Sequence, residues 1–378
     1  MDFDLSPEQQ QIADNLARVL KDKYSFEARK AHAAQPQGYA PDLWRQYADL
    51  GLLGAPFAEE DGGYGGGAVE VMLTQEAFGR ALALEPYLAS VVLAGGALRH
   101  GASAEQRAGL IGEIASGETV LALAHAEPQS GWNAHDVKAT ARAQDGGFVL
   151  DGEKGLVLNG DSATKLIVLA RVSGGQRDAE GLGFFLVDAD ASGVSRRGYP
   201  TQDGRRAAEI SLVGVKAKAL GEPGAAGPAM TRVIEDAIAA LCAEAVGAMA
   251  EAVAMTTEYL KTRKQFGIAI GSFQALQHRA ADMVVALEQA RSMMYLAAMS
   301  TAETDAASRA QSIHAAKAQI GRSAKFIGQQ ATQLHGGIAM TWEYKLGHLF
   351  KRLTMIDMAY GDSDHHLARL AGGDSLFN

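Results

Sequence analysis

Two segments in the last third of the chain repeat small and apolar residues three and four positions apart. The first comprises Leu276, Ala280, Met283, Leu287, Ala290 and Met294; the second comprises Ile313, Ala316, Ile320, Ala324, Ile327, Ala331 and Leu334. This spacing places each set on one face of an α-helix. Alanines on such a face let neighbouring helices pack closely. The pattern predicts a C-terminal four-helix bundle over residues 223–378.

The first 118 residues also have helical patterns. Ser6, Pro7 and Gln9 form an N-cap, a proline at the first helical position and a capping-box partner. Apolar residues recur at helical spacing behind them, and residues 43–50 and 69–84 suggest further helices. We therefore predict an N-terminal helical domain over residues 1–118.

The middle of the chain changes to short β-rich runs. These runs lie at 119–121, 147–150, 166–169 and 183–187, and turn signals such as Asp145-Gly146 separate them. No helix-length amphipathic pattern comes between them, so crossover helices are not expected. The sequence predicts a middle antiparallel β domain over 119–222. The fold class is α+β, with helical, β and helical domains in that order.

The composition of the chain argues against several classes of binding partner and indicates where in the cell the protein is found. The net charge of -9 argues against nucleic-acid binding, which needs a basic surface. A single cysteine, Cys242, excludes an intrachain disulfide and C-x-x-C zinc or redox sites. The most apolar long stretch contains Glu244 and Glu251, and the first residues do not resemble a secretion signal. We expect a cytoplasmic protein without a membrane partner.

Two local motifs suggest ligands but lack the context that such ligands need. Residues 63–68 fit the dinucleotide-binding pattern G-x-G-x-x-G/A, but the preceding residues are not a β-strand pattern, so we predict a loop. His365 and His366 are adjacent and would point about 100° apart on a helix. A polar cluster is the preferred interpretation of the histidines, and no metal site is predicted.

Several motifs do point to a family. The segments are Thr262-Arg263-Lys264-Gln265-Phe266-Gly267, Ser272-Phe273-Gln274-Ala275-Leu276-Gln277-His278, Gln333-Leu334-His335-Gly336-Gly337, Ala126-Glu127-Pro128 and Gly361-Asp362-Ser363. Together they resemble the acyl-CoA dehydrogenase family, and the resemblance extends over essentially the whole chain.

The resemblance implies a flavoenzyme and its reaction. Members of that family bind FAD and an acyl-CoA thioester of a fatty or dicarboxylic acid, and they form dimer-based tetramers. A carboxylate removes the α-proton while the β-hydrogen leaves as hydride to the flavin. An electron-transferring flavoprotein then reoxidises the flavin.

The resemblance also assigns cofactor-binding residues. Arg263 would reach across the dimer interface to the FAD pyrophosphate, which suits a guanidinium fork. The other residues would line the same crossing or pack around the adenosine half, and they are Phe266, Phe273, Gln274, Gln333, Gly336 and Gly337. The alternative is that Arg263 merely caps a helix end and that the glycines end a helix.

The catalytic carboxylate of the family is missing from both of its known positions. Alignment on Gly361 and Ser363 places Tyr360 at the usual position, and Ala237 stands at the alternative one. Ionising a phenol at pH 7 costs roughly 4 kcal/mol, so tyrosine is a poor base unless a cation stabilises its anion. The neighbouring acids Glu235, Asp236 and Asp362 are offset along the chain. No catalytic residue is therefore assigned.

The residues that would surround the flavin ring also differ from the family. Ala126 replaces a threonine, Trp132 replaces a serine, and Leu156-Val157-Leu158 replaces Trp-Ile-Thr. The hydrogen-bond donors to the ring are thus absent, while the residues donated across the interface remain.

This division resembles the small, base-less subunit of heteromeric members such as pimeloyl-CoA dehydrogenase-type enzymes. A catalytic large subunit of the same family would complete a heterotetramer. Three alternatives stay open. They are a self-sufficient homotetramer whose base is Glu235 or Asp362, a non-catalytic scaffold that keeps the fold, and a flavin-dependent monooxygenase relative, although nothing in the sequence identifies an oxygen-activating site.

Overall fold

The computed structural model describes residues 5–372. The part before the sheet is helical, with α1 Pro7–Lys23, α2 Phe26–Ala33, α3 Pro41–Asp49, α4 Ala68–Ala81, a π-helix Leu88–Ala94, α5 Gly95–Gly101 and α6 Ala104–Ala115. The predicted capping box begins α1: Ser6 Oγ accepts a hydrogen bond from Gln9 N, and Gln9 Oε1 accepts one from Ser6 N. Local sequence chemistry therefore determines where this helix starts.

The middle part forms a seven-stranded sheet. Its strands are β1 Leu121–Ala124, β2 Thr140–Gln144, β3 Gly147–Leu158, β4 Lys165–Arg171, β5 Leu182–Asp188, β6 Val194–Pro200 and β7 Arg206–Leu220. Their order is β1-β4-β2-β3-β7-β5, with β6 on β7 and β4 also on β5. Asp145 and Gly146, both at positive φ, form the predicted turn between β2 and β3.

The predicted antiparallel arrangement holds for most strand pairs and is wrong for one edge of the sheet. β1 pairs with β4 in parallel, and a single β2–β4 residue pair is also parallel. β3 runs opposite to β2, and the chain reverses again before β4. β4 therefore runs in the same direction as β1 and β2. Side-chain alternation along a strand carries no information about the direction of its neighbour.

The last part returns to long helices. These are α7 Ala226–Thr262, α8 Gln274–Ser300, α9 Ala306–His335, α10 Lys345–Met358 and α11 Ser363–Leu370; a short hairpin of β8 Lys264–Gln265 and β9 Ile268–Ala269 joins α7 to α8. Every residue of the predicted α9 face is buried, from Ile313 to Leu334. On α8 the last four predicted residues are buried, whereas Leu276 and Ala280 are half-buried. The helical periodicity thus identified the core faces.

Tertiary contacts divide the chain into two compact units. One contains Ala31–Val71 and Leu84–Ala237, and the other contains Met72–Ala83 together with the chain before residue 31 and after residue 237. The domain limits expected from the sequence fall between α6 and β1 and between β7 and α7. These limits remain a prediction.

Helix α7 is long and apolar enough to cross a membrane by length and composition alone. However, 83% of its most apolar window is buried inside the protein. A buried core helix passes the same test, so α7 is only weak evidence for a membrane span.

Candidate functional site

Tyr360, which the sequence predicts at the usual base position, lies in the turn after α10. It is half-buried and has a positive φ of 57°. Burial raises the pKa of the Tyr360 phenol, and the positive charge of Arg352 only partly opposes this effect. The net effect keeps the phenol protonated at neutral pH, so Tyr360 is a poor proton acceptor.

Arg352 is not a free cation for a tyrosinate. Its Nε and Nη2 donate to the two carboxylate oxygens of Glu244, at 2.7 and 2.6 Å, and both side chains are buried. A bidentate pair of this kind neutralises the guanidinium charge within the protein interior. The condition under which tyrosine could act as a base is therefore poorly met.

Ala237, at the alternative base position, is fully buried in α7. The adjacent Asp236 lies 2.5 Å from Arg99 Nη2 and 2.8 Å from His100 Nε2. Burial opposes ionisation of Asp236, but the His100 hydrogen bond and the Arg99 charge outweigh it and lower the pKa of Asp236. This carboxylate is held in an ion-pair cluster.

Asp362 also has a structural role. Its Oδ1 accepts a hydrogen bond of 2.8 Å from His365 N, which makes Asp362 the N-cap of α11. A side chain that satisfies the first turn of a helix stabilises that helix start. Glu235, the remaining offset acid, is buried in α7.

The residues expected to reach across an interface lie around the β8–β9 hairpin. Arg263 follows the end of α7 and is exposed, and Gln274 is exposed at the start of α8. Phe266 is 90% exposed at the hairpin tip, and its ring meets that of Phe273 edge to face at 6.1 Å. Phe266 lies at the hairpin tip and Phe273 is the N-cap of α8, and two exposed aromatic rings in contact are typical of a surface that another group covers.

The second cofactor motif lines a cavity at the end of α9. The cavity volume is about 330 Å³, and its walls are Gln329, Thr332, Gln333, Gly336, Gly337, Met340 and Phe350. Gly336 ends α9 with a positive φ of 66°, and a glycine that ends a helix can also lie beside a cofactor, so its cofactor role stays a prediction. A β-carbon at Gly337 would meet no atom within 4 Å, so space remains beside it.

The positions that would face a flavin ring carry aliphatic side chains, except for Trp132. Leu156 is 52% exposed and has a positive φ of 50°, while Trp132 is 48% exposed. Ala126 and Leu158 complete the set. The aliphatic side chains at Ala126, Leu156, Val157 and Leu158 donate no hydrogen bond, whereas Trp132 keeps the N–H donor of its indole ring.

Sequence reasoning missed the ion pair that supports this region. Lys154 Nζ donates to Glu127 Oε1 at 2.7 Å, and both side chains are buried. Glu127 also accepts hydrogen bonds from the backbone N–H groups of Lys138 and Ala139. Burial lowers the pKa of Lys154 to about 8 although Glu127 opposes the shift. The pair ties the Ala126-Glu127-Pro128 loop to β3.

A signal for that pair was present in the sequence but was ambiguous. Lys154 lies beyond the predicted run at 147–150, although β3 extends to Leu158, and a long cation in a strand could equally face solvent. The Glu244–Arg352 pair was equally hard to predict, because its two residues are 108 positions apart and no local pattern indicates that they meet. Among the described residues, no group of three or more His, Cys, Asp or Glu side chains could hold a metal ion.

The glycine-rich segment 63–68 has no dinucleotide-binding context in the described chain. A short 3-10 turn, Glu59–Asp61, precedes it and α4 follows it. A Rossmann site needs a strand that leads into the glycines. The segment is a loop, as expected.

Comparison with known protein families covers nearly the whole chain. The family descriptions "Acyl-CoA dehydrogenase, N-terminal domain", "middle domain" and "C-terminal domain" match residues 6–118, 122–216 and 228–373, respectively. Among curated proteins, the probable acyl-CoA dehydrogenase YngJ of Bacillus subtilis is 29% identical over 375 residues. The alignment covers 96% of this chain and 97% of that protein.

Solved structures give the same result. The ChsE4-ChsE5 complex from Mycobacterium tuberculosis matches with a TM-score of 0.86 and 25% identity, covering 99% of this chain and 100% of that one. The structure of PigA with FAD and proline matches with a TM-score of 0.87 and 26% identity, covering 98% of each chain.

Proposed function

The chain belongs to the acyl-CoA dehydrogenase family, and from that premise we propose that it is the base-less small subunit of a heteromeric enzyme. The family uses FAD. One observation carries the proposal: neither family base position holds a carboxylate, since Tyr360 and Ala237 occupy them. A catalytic large subunit of the same family supplies the missing glutamate.

The contacts of the neighbouring acids support this assignment over a relocated base. Asp362 caps α11, and Asp236 pairs with Arg99 and His100. Glu235 precedes Ala237 by two residues, and on a helix this offset rotates the side chain by about 200°. A self-sufficient homotetramer would have to use Glu235, and its geometry argues against that role.

The residues of this chain fit one half of FAD better than the other. Exposed Arg263, the Phe266–Phe273 pair and the space beside Gly337 suit a diphosphate and an adenosine that approach from another subunit. The side chains at Ala126, Leu156 and Leu158 offer no hydrogen bonds to a ring edge. We infer that the large subunit contacts the flavin ring and that this subunit completes the pyrophosphate and adenosine pocket.

The chemistry that bound FAD would supply is acceptance of the hydride from the β-carbon of the acyl-CoA thioester. Arg263 of this chain binds and orients the diphosphate, and the exposed aromatic pair excludes water from the adenosine. The carboxylate of the large subunit is already ionised at neutral pH and takes the α-proton. A division of this kind leaves the small subunit essential for holding the cofactor and inert in proton transfer.

Comparison with a two-chain complex gives this assignment independent support. The similar ChsE4-ChsE5 structure is described as a complex of two differently named chains. We further propose a cytoplasmic heterotetramer that acts on a fatty or dicarboxylic acyl-CoA and passes electrons to an electron-transferring flavoprotein.

The visible spectrum of the purified full chain tests the proposal. The chain is expressed alone with excess FAD, and then together with a family member that carries glutamate at the position of Tyr360. We expect a colourless protein in the first case, and flavin absorbance with dehydrogenase activity in the second. An active homo-oligomer with one flavin per chain would overturn the proposal. Complexes with unchanged activity after Arg263→Ala would instead favour a scaffold.

A further inference from the structure

The turn after α10 holds a tyrosine in a backbone conformation that residues with a side chain seldom adopt. Tyr360 has a φ of 57°, and the following Gly361 has a φ of 111°. A β-carbon in the left-handed region is strained, and such a residue persists only where its surroundings over-determine the conformation. Contacts from elsewhere in the fold must therefore hold this turn.

Lys317 of α9 makes those contacts. Its side chain is fully buried, and Nζ donates to the backbone carbonyl oxygens of Asp357 at 2.7 Å and Gly361 at 2.8 Å. The two carbonyl groups lie on either side of Tyr360 along the chain. A charged donor that bridges them restrains the segment between them, because charge-assisted hydrogen bonds are stronger than neutral ones.

The same face of α9 is shaped to receive the turn. Gly321 lies one helical turn after Lys317, and a β-carbon there would come within 2.1 Å of Asp357 Oδ1. Ser363 Oγ donates to that same carboxylate oxygen at 2.9 Å. His314 lies three residues before Lys317, and its Nδ1 is 2.8 Å from Nδ1 of His366. This α9 face therefore contacts the chain on both sides of Tyr360.

We propose that Lys317 is a positioning residue that fixes the Tyr360 phenol at the position where the family carries its catalytic glutamate. The inference rests on the proposed function, in which that position is chemically inert. It adds that the inert side chain is held in place by a buried ammonium group. The turn that contains Tyr360 therefore keeps one conformation in this subunit.

Chemical nitration of tyrosine tests the proposal on the full chain alone. Lys317→Met removes the ammonium group and keeps most of the side-chain volume. Tetranitromethane is applied near pH 8, and peptide mass spectrometry measures the nitration rate at each tyrosine. Once the turn is no longer held, the Tyr360 phenol can leave the buried position that raises its pKa. We expect its nitration rate to rise by about tenfold or more, because each pH unit by which a phenol pKa falls multiplies its phenolate fraction by ten.

Two tyrosines and one lysine provide controls. Tyr47 is fully buried, so its nitration rate reports any general unfolding of the chain. Tyr64 is exposed, so its rate reports the reactivity of the reagent. Lys325→Met changes an exposed lysine on the same helix and should leave every rate unchanged. A selective rise at Tyr360 supports the proposal.

An unchanged rate at Tyr360, or an equal rise at Tyr47, overturns it. Should Lys317→Met fail to fold, Gly321→Ala disturbs the same turn from the same face of α9 by crowding Asp357 Oδ1, and the same selective rise is expected. The measurement uses neither flavin nor partner. Its failure is therefore distinguishable from failure of the proposed function, which the flavin spectrum reports.

Discussion

The carboxylate of Glu244 on α7 accepts two hydrogen bonds from the guanidinium of Arg352 on α10, and both side chains are buried. The pair also affects Tyr360, the residue predicted at the base position, because the positive charge of Arg352 partly opposes the rise in the pKa of Tyr360 that burial causes. The same ion pair therefore holds α7 against α10 and influences the protonation of the tyrosine in the turn that follows α10.

Removal of one partner should be far more damaging than removal of both. Arg352→Met leaves Glu244 buried without its cation, which typically costs about 3–5 kcal/mol in the free energy of unfolding. The double variant Glu244→Leu/Arg352→Met should recover most of that loss. Urea denaturation of the full chain measures both values. Arg142→Met, which breaks the exposed pair with Asp151, should change stability by only about 0–1 kcal/mol. Similar losses for the single and double variants would contradict this expectation.

Acid should destabilise the folded chain because several imidazoles are buried in neutral form. Burial lowers the pKa of His125 and His314 to about 4, and that of His366 to about 3. Between pH 6.5 and about 4 the unfolded chain binds protons at these residues that the folded chain does not. Stability is therefore retained above pH 6.5 and falls as the pH drops through this window.

Urea midpoints at several pH values within that window measure the effect. Each histidine contributes at most about 1.4 kcal/mol per pH unit. His125→Gln should make the pH dependence shallower, whereas His278→Gln, which changes an exposed residue, should leave it as in the wild type. A midpoint that does not move between neutral pH and pH 5 would contradict the expectation.

Arg263 should contribute to flavin retention in the assembled enzyme. Hydrogen bonds to a charged group are worth about 1.5–3 kcal/mol, so Arg263→Ala should weaken FAD binding roughly 10- to 100-fold. Arg263→Lys should restore part of the affinity, because it keeps the charge and loses the bidentate fork. Lys261→Ala, an exposed cation two residues earlier, is the matched control. Flavin release on dilution measures the affinity, and equal effects of the two alanine variants would sink the assignment.

The two glycines after α9 should respond differently to alanine. Gly336→Ala strains a positive φ and should cost about 1 kcal/mol of stability in the chain alone. Gly337→Ala meets no atom within 4 Å and should leave the isolated chain unaffected. In the assembled enzyme, Gly337→Ala should weaken FAD binding if the cofactor approaches this backbone. Thermal unfolding and flavin titration separate the two effects.

Much of the secondary structure could be predicted because its causes are local. The Ser6–Gln9 capping box, the Asp145-Gly146 turn and the apolar face of α9 all depend on residues a few positions apart. The family resemblance was also readable, since its motifs are contiguous. The sequence by itself thus determined the order of helical, β and helical parts, whereas the expectation that Tyr360 and Ala237 stand at the two base positions stays a prediction.

Only the tertiary structure decided the direction of β1 against β4 and the partners of the buried charges. Asp362 could have been a base until its carboxylate was found to cap α11. Arg352 could have stabilised a tyrosinate until Glu244, 108 positions away, was found to pair with it. Burial and charge pairing depend on residues that are distant along the chain. Local periodicity does not indicate which distant side chains come into contact.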